Sequence, residues 1–151
     1  MTGYGLVQAR GVRTSIVEAG VIRSDSSDSL ADRVRTIYLQ LRDILREFEP
    51  DVIAVEELYS HYKHPVTSIL MGHARGVLFL AAAEAGLPVE SYAATRIKKA
   101  LTGSGRASKE QVQRMIQSTL GLAALPEPAD VSDALAVALC HANVLMRGAV
   151  R

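Results

Sequence analysis

Apolar and polar positions divide the first third of the chain into strand-like and helix-like stretches. Residues 2–8 and 14–24 are rich in strand-forming residues and flank a turn at Gly11, which predicts a β-hairpin. In residues 29–48 apolar side chains recur every three or four positions, as in an amphipathic helix, and Pro50 ends the pattern. The apolar stripe consists of Leu30, Val34, Ile37, Leu41, Ile44 and Phe48. We therefore predict a hairpin followed by a helix.

The middle of the chain predicts a βαβ unit. Residues 51–57 form a nearly continuous apolar run bounded by acids, which is typical of a strand buried on both faces of a parallel sheet. Residues 67–86 follow as a helix that Gly86 ends, and residues 88–94 as a short strand. Such units are right-handed in nearly all proteins. We therefore predict that residues 51–57 form a central strand.

Helix signals recur toward the C-terminus. Ser108 and Gln111 match a capping box that opens a helix through Leu120, and the prolines in residues 125–128 precede a last helix. The 151 residues suit one domain that buries roughly two thirds of its unfolded surface. We predict a single α/β domain over residues 1–151, with the hairpin joined to parallel strands.

Cysteine usage and hydropathy predict a cytoplasmic protein. The single cysteine, Cys140, lies in an apolar helical run and is expected to be a small core residue in a reducing compartment, with a reactive thiol as the alternative. No uncharged stretch reaches the ~20 apolar residues of a membrane span, and no signal-sequence pattern opens the chain. We expect no membrane partner.

Basic residues concentrate in one region, although the formal net charge is only +1. Residues 96–114 hold six Lys or Arg residues and one acid, Glu110. A local cationic zone suits contact with a phosphate backbone, although a solvated charged surface explains the composition about equally well. The zone is a candidate nucleic-acid contact.

Three carboxylates are the candidate chemical groups. Asp130 and Asp133 stand three positions apart on one face of the last predicted helix, where either could simply cap it. Glu56 ends the predicted central strand, where α/β sheets place ligand crevices, although taken alone it is more typical of a strand-end acid that points to solvent. Three carboxylates without a Cys or His framework favour Mg²⁺ or Mn²⁺, and two such ions would assist phosphodiester hydrolysis.

Five stretches occur in order along nearly the whole chain. They are "TGYGLV", "VIAVEELY", "GHARGVLFLAAAEAGLPVESYAA", "IKKALTGSGRASKEQVQRMI" and "DVSDALAVALCH". Together they resemble the RuvC-type Holliday junction resolvases, nucleases with a ribonuclease H-like mixed sheet flanked by helices. The resemblance implies a homodimer that resolves four-way DNA junctions in recombination and repair, using Mg²⁺ or Mn²⁺ with two ions per subunit. It also implies a branch-migration complex of the RuvA and RuvB type as a partner.

The resemblance also implies roles for individual residues. Glu56, Asp130 and Asp133 match the family's metal-binding carboxylates. Lys98 and Lys109 match its basic residues near the DNA backbone.

Two further residues are candidates for DNA contact. Tyr59 begins the loop "YSHYKH", residues 59–64, and stands where the family has an aromatic residue implicated in stacking on unpaired junction bases. Without the resemblance, an equally good interpretation is that one tyrosine of the loop packs against the domain while its histidines are solvated. Arg75 could reach phosphate or pair on a helix surface. His141, two helical turns past Asp133, is expected to be a packed or hydrogen-bonded histidine.

The sequence departs from the family pattern at its start. The family opens with a mid-sheet strand ending in Asp-Pro-Gly, whose Asp is its first catalytic carboxylate, whereas this sequence begins at Met1, just before "TGYG". We expect the codons upstream of Met1 to encode that strand in frame; a genuinely shortened form is the alternative. The alternative function is a junction-binding protein without cleavage. A sugar or acetate kinase-like protein is disfavoured because no Gly-rich phosphate loop is present.

Overall fold

The computed structural model describes residues 1–57 and 65–149. In chain order the elements are β1 (Thr2–Arg10), β2 (Arg13–Ile22), α1 (Leu30–Phe48), β3 (Ile53–Glu56), α2 (Pro65–Glu84), β4 (Val89–Tyr92), α3 (Ala94–Thr102), α4 (Lys109–Leu120) and α5 (Ala129–Ala149). Each strand and helix predicted from the sequence pattern is present, and α3 is an additional helix. The α/β fold class is therefore confirmed.

Local signals account for several element boundaries. Gly11 has a φ of +58°, a conformation that glycine adopts without strain, and it forms the turn between β1 and β2. Helix α1 ends at Phe48, and its C-cap, Glu49, has a left-handed backbone conformation and is followed by Pro50. Helix α4 opens with the complete capping box of Ser108 and Gln111.

The strands pair two by two, β1 with β2 and β3 with β4. The prediction that residues 51–57 form a strand buried on both faces is wrong: in β3 only Val55 is buried, while Ile53 and Ala54 are half-buried and Glu56 is exposed. Among the described residues β4 is the one strand that pairs with β3, so β3 is an edge strand there. An apolar run alone does not determine how many neighbours a strand has.

The chain divides into two compact units, and the prediction of one domain over residues 1–151 stays a prediction. The first unit comprises residues 1–2 and 22–53 and the described part of 57–90. Its helices α1 and α2 pack together, with Leu45, Ala81 and Ala82 buried. The hydroxyl of Tyr38 on α1 donates a hydrogen bond to the carboxylate of Glu84 on α2.

The second unit comprises residues 3–21 and 54–56 and the described part of 91–151. Its core includes Tyr92, Ile97, Ala107, Val112, Ile116, Val131, Leu135, Ala136, Val137, Leu139 and Cys140. Helix α5 supplies six of these residues, so it is the central element of the unit. Cys140 is fully buried, as expected, and burial raises the pKa of its thiol.

Strand β1 lies directly on the first turns of α5. A Cβ atom on Gly3 would stand 2.0 Å from the carbonyl oxygen of Asp130, and one on Gly5 would stand 2.7 Å from a methyl carbon of Leu135. At Gly3 the added atom would meet backbone that cannot move aside, so this position requires glycine, whereas at Gly5 it would meet the end of the Leu135 side chain, which would have to shift. The close approach fixes the beginning of α5, and with it Asp130, against β1.

In the described part of the chain, two helices, α2 and α5, are long and apolar enough by length and composition to cross a membrane. The absence of a long uncharged stretch was therefore not sufficient to exclude such candidates. The apolar residues of α5 form the core of the second unit. By contrast, only 11% of the apolar window of α2 is buried. The exposed large apolar residues of α2 are Val66, Ile69, Leu70, Met71, Phe79 and Leu80.

Candidate functional site

Two of the predicted acids and both predicted lysines line one cavity in the second unit. The cavity has a volume of about 160 Å³, and its charged lining residues are Glu56, Lys98, Lys109 and Asp133. The remaining lining residues are Ala94, Ile97, Val112, Ala136 and Val137. The site therefore combines two negative and two positive side chains with apolar lining residues.

Four different elements supply the charged side chains. Glu56 is the last residue of β3, and Lys98 lies in the middle of α3. Lys109 is the first residue of α4, and Asp133 lies in the first half of α5. Because no two of these groups share an element, their separations depend on how α3, α4 and β3 pack around α5.

Lys109 and Asp133 form an ion pair across two helices. Lys109 Nζ lies 3.2 Å from Asp133 Oδ2, and each side chain is 57% exposed. Exposed pairs of this kind contribute only about 0–1 kcal/mol to stability. The consequence is electrostatic: the ammonium group balances the negative charge that Asp133 adds to the cavity.

The charges around Glu56 oppose one another. Partial burial is the main cause that raises the pKa of this carboxyl, and the negative charge of Asp133 raises it further. The positive charges of Lys98 and Lys109 act in the opposite direction. The two carboxylates thus repel each other, and a cation placed between them would relieve that repulsion.

Asp130 stands apart from this group. It is half-buried in the first turn of α5, next to Gly3, and it does not line the cavity. Two of the first amides of α5, Val131 N–H and Ser132 N–H, donate hydrogen bonds to the backbone carbonyl of Pro128. Within residues 1–57 and 65–149, no three His, Cys, Asp or Glu side chains approach closely enough to hold a metal ion.

Arg75, another predicted DNA contact, does not line the cavity. Tyr59 lies outside the described residues. Arg75 belongs to α2 in the first unit, with its guanidinium carbon 5.0 Å from the centroid of the Phe79 ring. Their roles in DNA binding stay predictions.

Helix α3, which carries Lys98, was missed from the sequence. Its N-cap is Ala93, which makes no side-chain capping hydrogen bond, so the usual start signal is absent. A usable signal was present at the other end, where Gly103 adopts the left-handed conformation after the apolar pair Ile97 and Leu101. The expectation for His141 is confirmed, since its Nδ1 lies 2.6 Å from the Tyr92 hydroxyl.

Comparison with known proteins gives a consistent result. The family model described as "Crossover junction endodeoxyribonuclease RuvC" matches residues 1–141. A curated protein of that name from Rhodopirellula baltica is 51% identical over 139 residues, which cover 92% of this chain and 78% of the relative. Another from Moorella thermoacetica is 47% identical over 143 residues, covering 95% and 85% respectively.

Solved structures agree with the sequence relatives. The structure described as "T. thermophilus RuvC in complex with Holliday junction substrate" matches with a TM-score of 0.89 and 34% identity, covering 97% of this chain and 88% of that chain. A second Thermus thermophilus RuvC structure matches with a TM-score of 0.87 and the same 34% identity, covering 97% and 89%.

The fold and the site together define a hydrolytic nuclease of the ribonuclease H-like class. The chain belongs to the RuvC family of crossover junction endodeoxyribonucleases, which are metal-dependent enzymes. The resemblance inferred from the ordered sequence stretches is thereby confirmed.

Proposed function

We propose that the protein cuts four-way DNA junctions by Mg²⁺-dependent phosphodiester hydrolysis, in recombination and DNA repair. The observation that carries the proposal is the cavity in which Glu56 and Asp133 stand with Lys98 and Lys109. Carboxylates suit a divalent cation, and ammonium groups suit phosphate oxygens. The names of the relatives and of the matching complex support the same substrate.

The oxygen donors of the site fit a hard cation. Glu56 and Asp133 would hold it, with Asp130 joining from the first turn of α5, and two ions would bind per subunit with Mn²⁺ as a substitute for Mg²⁺. Partial burial is the main cause that raises the pKa of Glu56 and the negative charge of Asp133 is the next, and a bound cation would offset the repulsion between the two carboxylates. When bound, the metal supplies an activated water and stabilises the leaving oxygen.

Lys98 and Lys109 contribute fixed positive charge beside the carboxylates. We assign both to the DNA backbone near the scissile phosphate. Lys109 already pairs with Asp133 at 3.2 Å, so it would exchange part of that contact for phosphate when DNA binds. We further assign Tyr59 to stacking on an unpaired junction base and Arg75 to a phosphate contact, on the resemblance alone.

The protein would act as a homodimer in the cytoplasm. Two opposed strands of a junction require two equivalent sites, and a two-fold dimer supplies them. The exposed apolar residues of α2 provide a surface of the kind that subunits bury on association. A branch-migration complex of the RuvA and RuvB type is the proposed further partner.

The test is cleavage of a synthetic four-way junction by the purified chain. We expect paired, symmetric nicks with Mg²⁺, no product with EDTA, and no cleavage of a linear duplex of the same sequence. A filter or gel-shift assay in EDTA measures binding separately from cleavage. Selective junction binding with no product at any Mg²⁺ or Mn²⁺ concentration would instead establish the alternative, a junction-binding protein without cleavage.

A further inference from the structure

A polar contact joins the end of β4 to the second half of α5. The hydroxyl of Tyr92 lies 2.6 Å from Nδ1 of His141, and the two ring centroids are 5.9 Å apart. Neither residue lines the cavity that contains the acids and lysines. We propose that Tyr92 and His141 are positioning residues, which hold α3 against α5 and so place Lys98 opposite Glu56 and Asp133; the DNA role of Lys98 rests on the proposed function.

The contact is built into the core. Tyr92 is only 3% exposed, although it carries a hydroxyl, and it belongs to the core cluster of the second unit. A buried hydroxyl requires a hydrogen-bond partner, and His141 provides one. The position of Tyr92 is therefore determined by a directional interaction as well as by packing.

Two more interactions connect α3 to the same elements. The guanidinium carbon of Arg96 lies 5.0 Å from the centroid of the Tyr92 ring, a cation–π arrangement. At the other end of α3, Asn143 Nδ2 donates to the carbonyl oxygen of Ala100 at 3.2 Å. Helix α3 is thus held to β4 at its start and to α5 near its end, and Ile97 packs into the core between these points.

Helix α3 depends on such contacts because it is weak by itself. It has nine residues and no side-chain cap at Ala93. Helices shorter than about 12 residues are marginal in water, so the position of α3 is determined by its neighbours. Tyr92 stands two residues before the helix begins and is the natural point from which to fix it.

Helix α5 connects both ends of the arrangement. Asp133 lies in its first half and lines the cavity, while His141 is eight residues further along and contacts Tyr92. Eight residues of helix correspond to about 12 Å. The hydrogen bond at His141 therefore joins the end of β4, two residues before the helix that carries Lys98, to the helix that carries Asp133.

Three substitutions separate the hydrogen bond from packing. Tyr92→Phe removes the hydroxyl and keeps the buried ring and its contact with Arg96. His141→Leu removes the ring nitrogen. His141→Asn is the matched control, because an Asn side chain places a polar atom where Nδ1 stands in histidine.

The measurement is the NaCl dependence of junction binding in EDTA. We expect Tyr92→Phe and His141→Leu to reduce the slope of log K against log [NaCl] as Lys98→Ala does, by up to about 0.9, and His141→Asn to retain it. When Lys98→Ala is already present, Tyr92→Phe should cause no further decrease in the slope. With Mg²⁺, the single-turnover cleavage rate should fall about tenfold, which corresponds to roughly 1.4 kcal/mol.

A purely structural role would lower the melting temperature and leave the salt slope unchanged. The proposal is overturned if Tyr92→Phe has the wild-type slope. It is also overturned if the double variant loses as much slope as the two single variants added together. If Lys98→Ala leaves the salt slope unchanged, Lys98 does not contact the DNA backbone and that part of the proposed function is wrong. Amide hydrogen exchange then tests separately whether Tyr92 and His141 hold α3 in place. The α3 amides should exchange faster in Tyr92→Phe than in the wild type. Equal exchange rates in the two proteins overturn the proposal.

Discussion

Lys109 Nζ and Asp133 Oδ2 lie 3.2 Å apart and join the start of α4 to the first half of α5. The pair brings a cation suited to phosphate into direct contact with a carboxylate suited to metal. Substitutions at the two positions should therefore affect binding and cleavage differently.

Asp133→Asn should nearly abolish cleavage and leave junction affinity in EDTA unchanged or improved. The substitution removes a charge that we propose binds metal and that would also repel the DNA backbone. Loss of a supporting residue around a metal site costs about 10–100-fold, and we expect a direct ligand to cost at least about 100-fold. Asp43→Asn, which removes an exposed acid paired with Arg42 on α1, is the matched control. Cleavage at the wild-type rate in Asp133→Asn would contradict the assignment.

Lys109→Ala should weaken junction binding most strongly at low salt. One phosphate contact contributes about 0.9 to the slope of log K against log [NaCl], so the slope should decrease by no more than that. Lys109→Arg preserves the charge and should keep the slope. If Lys109→Ala and the wild type have the same slope, Lys109 does not contact phosphate.

Glu56→Gln should stabilise the metal-free protein at pH 7. Because the pKa of Glu56 is raised above 4.5, the folded chain holds this proton more tightly than the unfolded chain does. Stability is then lost as the pH rises above 4.5, and the substitution avoids that loss. Thermal melts in EDTA should show a higher melting temperature for Glu56→Gln at pH 7 and a smaller difference at pH values below 4.5.

Mg²⁺ should reverse this order, since it raises the melting temperature of the wild type more than that of Glu56→Gln. Glu47→Gln, at an exposed position of α1, serves as the control and should respond to Mg²⁺ like the wild type. An equal response of Glu56→Gln would contradict metal binding at Glu56.

Gly3→Ala should destabilise the fold by about 1–3 kcal/mol, as overpacking does in well-packed cores. The added Cβ would meet the backbone carbonyl of Asp130, which cannot rotate away as a side chain could. Urea unfolding measures the change. Gly148→Ala, near the end of α5, has nothing within 4 Å of the added Cβ and should be neutral or slightly stabilising. Equal stability of the two variants would show that β1 can move away from α5.

Ile69→Glu and Leu80→Glu should convert a dimer into a monomer. These residues are 60% and 54% exposed on α2, and a charge would oppose burial against a second subunit. Sedimentation velocity reports the oligomeric state. Val12→Glu alters an apolar residue that is 92% exposed at the hairpin turn and should leave the dimer intact. Dimers in both α2 variants would place the interface elsewhere.

Local sequence signals predicted local structure well. The capping box of Ser108 and Gln111 involves only atoms of neighbouring residues, so the pattern alone was sufficient for the start of α4. The same holds for the turn at Gly11. The apolar run at residues 51–57 correctly predicted a strand but not its surroundings, because burial depends on which distant elements cover it.

The candidate site shows the same division. Pattern and resemblance selected Glu56, Asp133, Lys98 and Lys109, which the fold brings to one cavity. They could not reveal that Asp130 stands apart from that cavity, since its position depends on the contact of α5 with β1 rather than on helical spacing. Helix α3 was missed because tertiary contacts hold it in place of a capping side chain.

Helix α5 supplies most of the core of its unit and also carries Asp133 and His141. Unfolding of this helix would therefore remove the core of the unit and the candidate site together. When the protein is heated, activity should disappear along the same curve as folded structure, without an earlier phase in which an intact protein has lost its site. A variant library selected only for heat resistance would consequently retain the buried residues of α5, which form the core and also hold Asp133 and His141 in place.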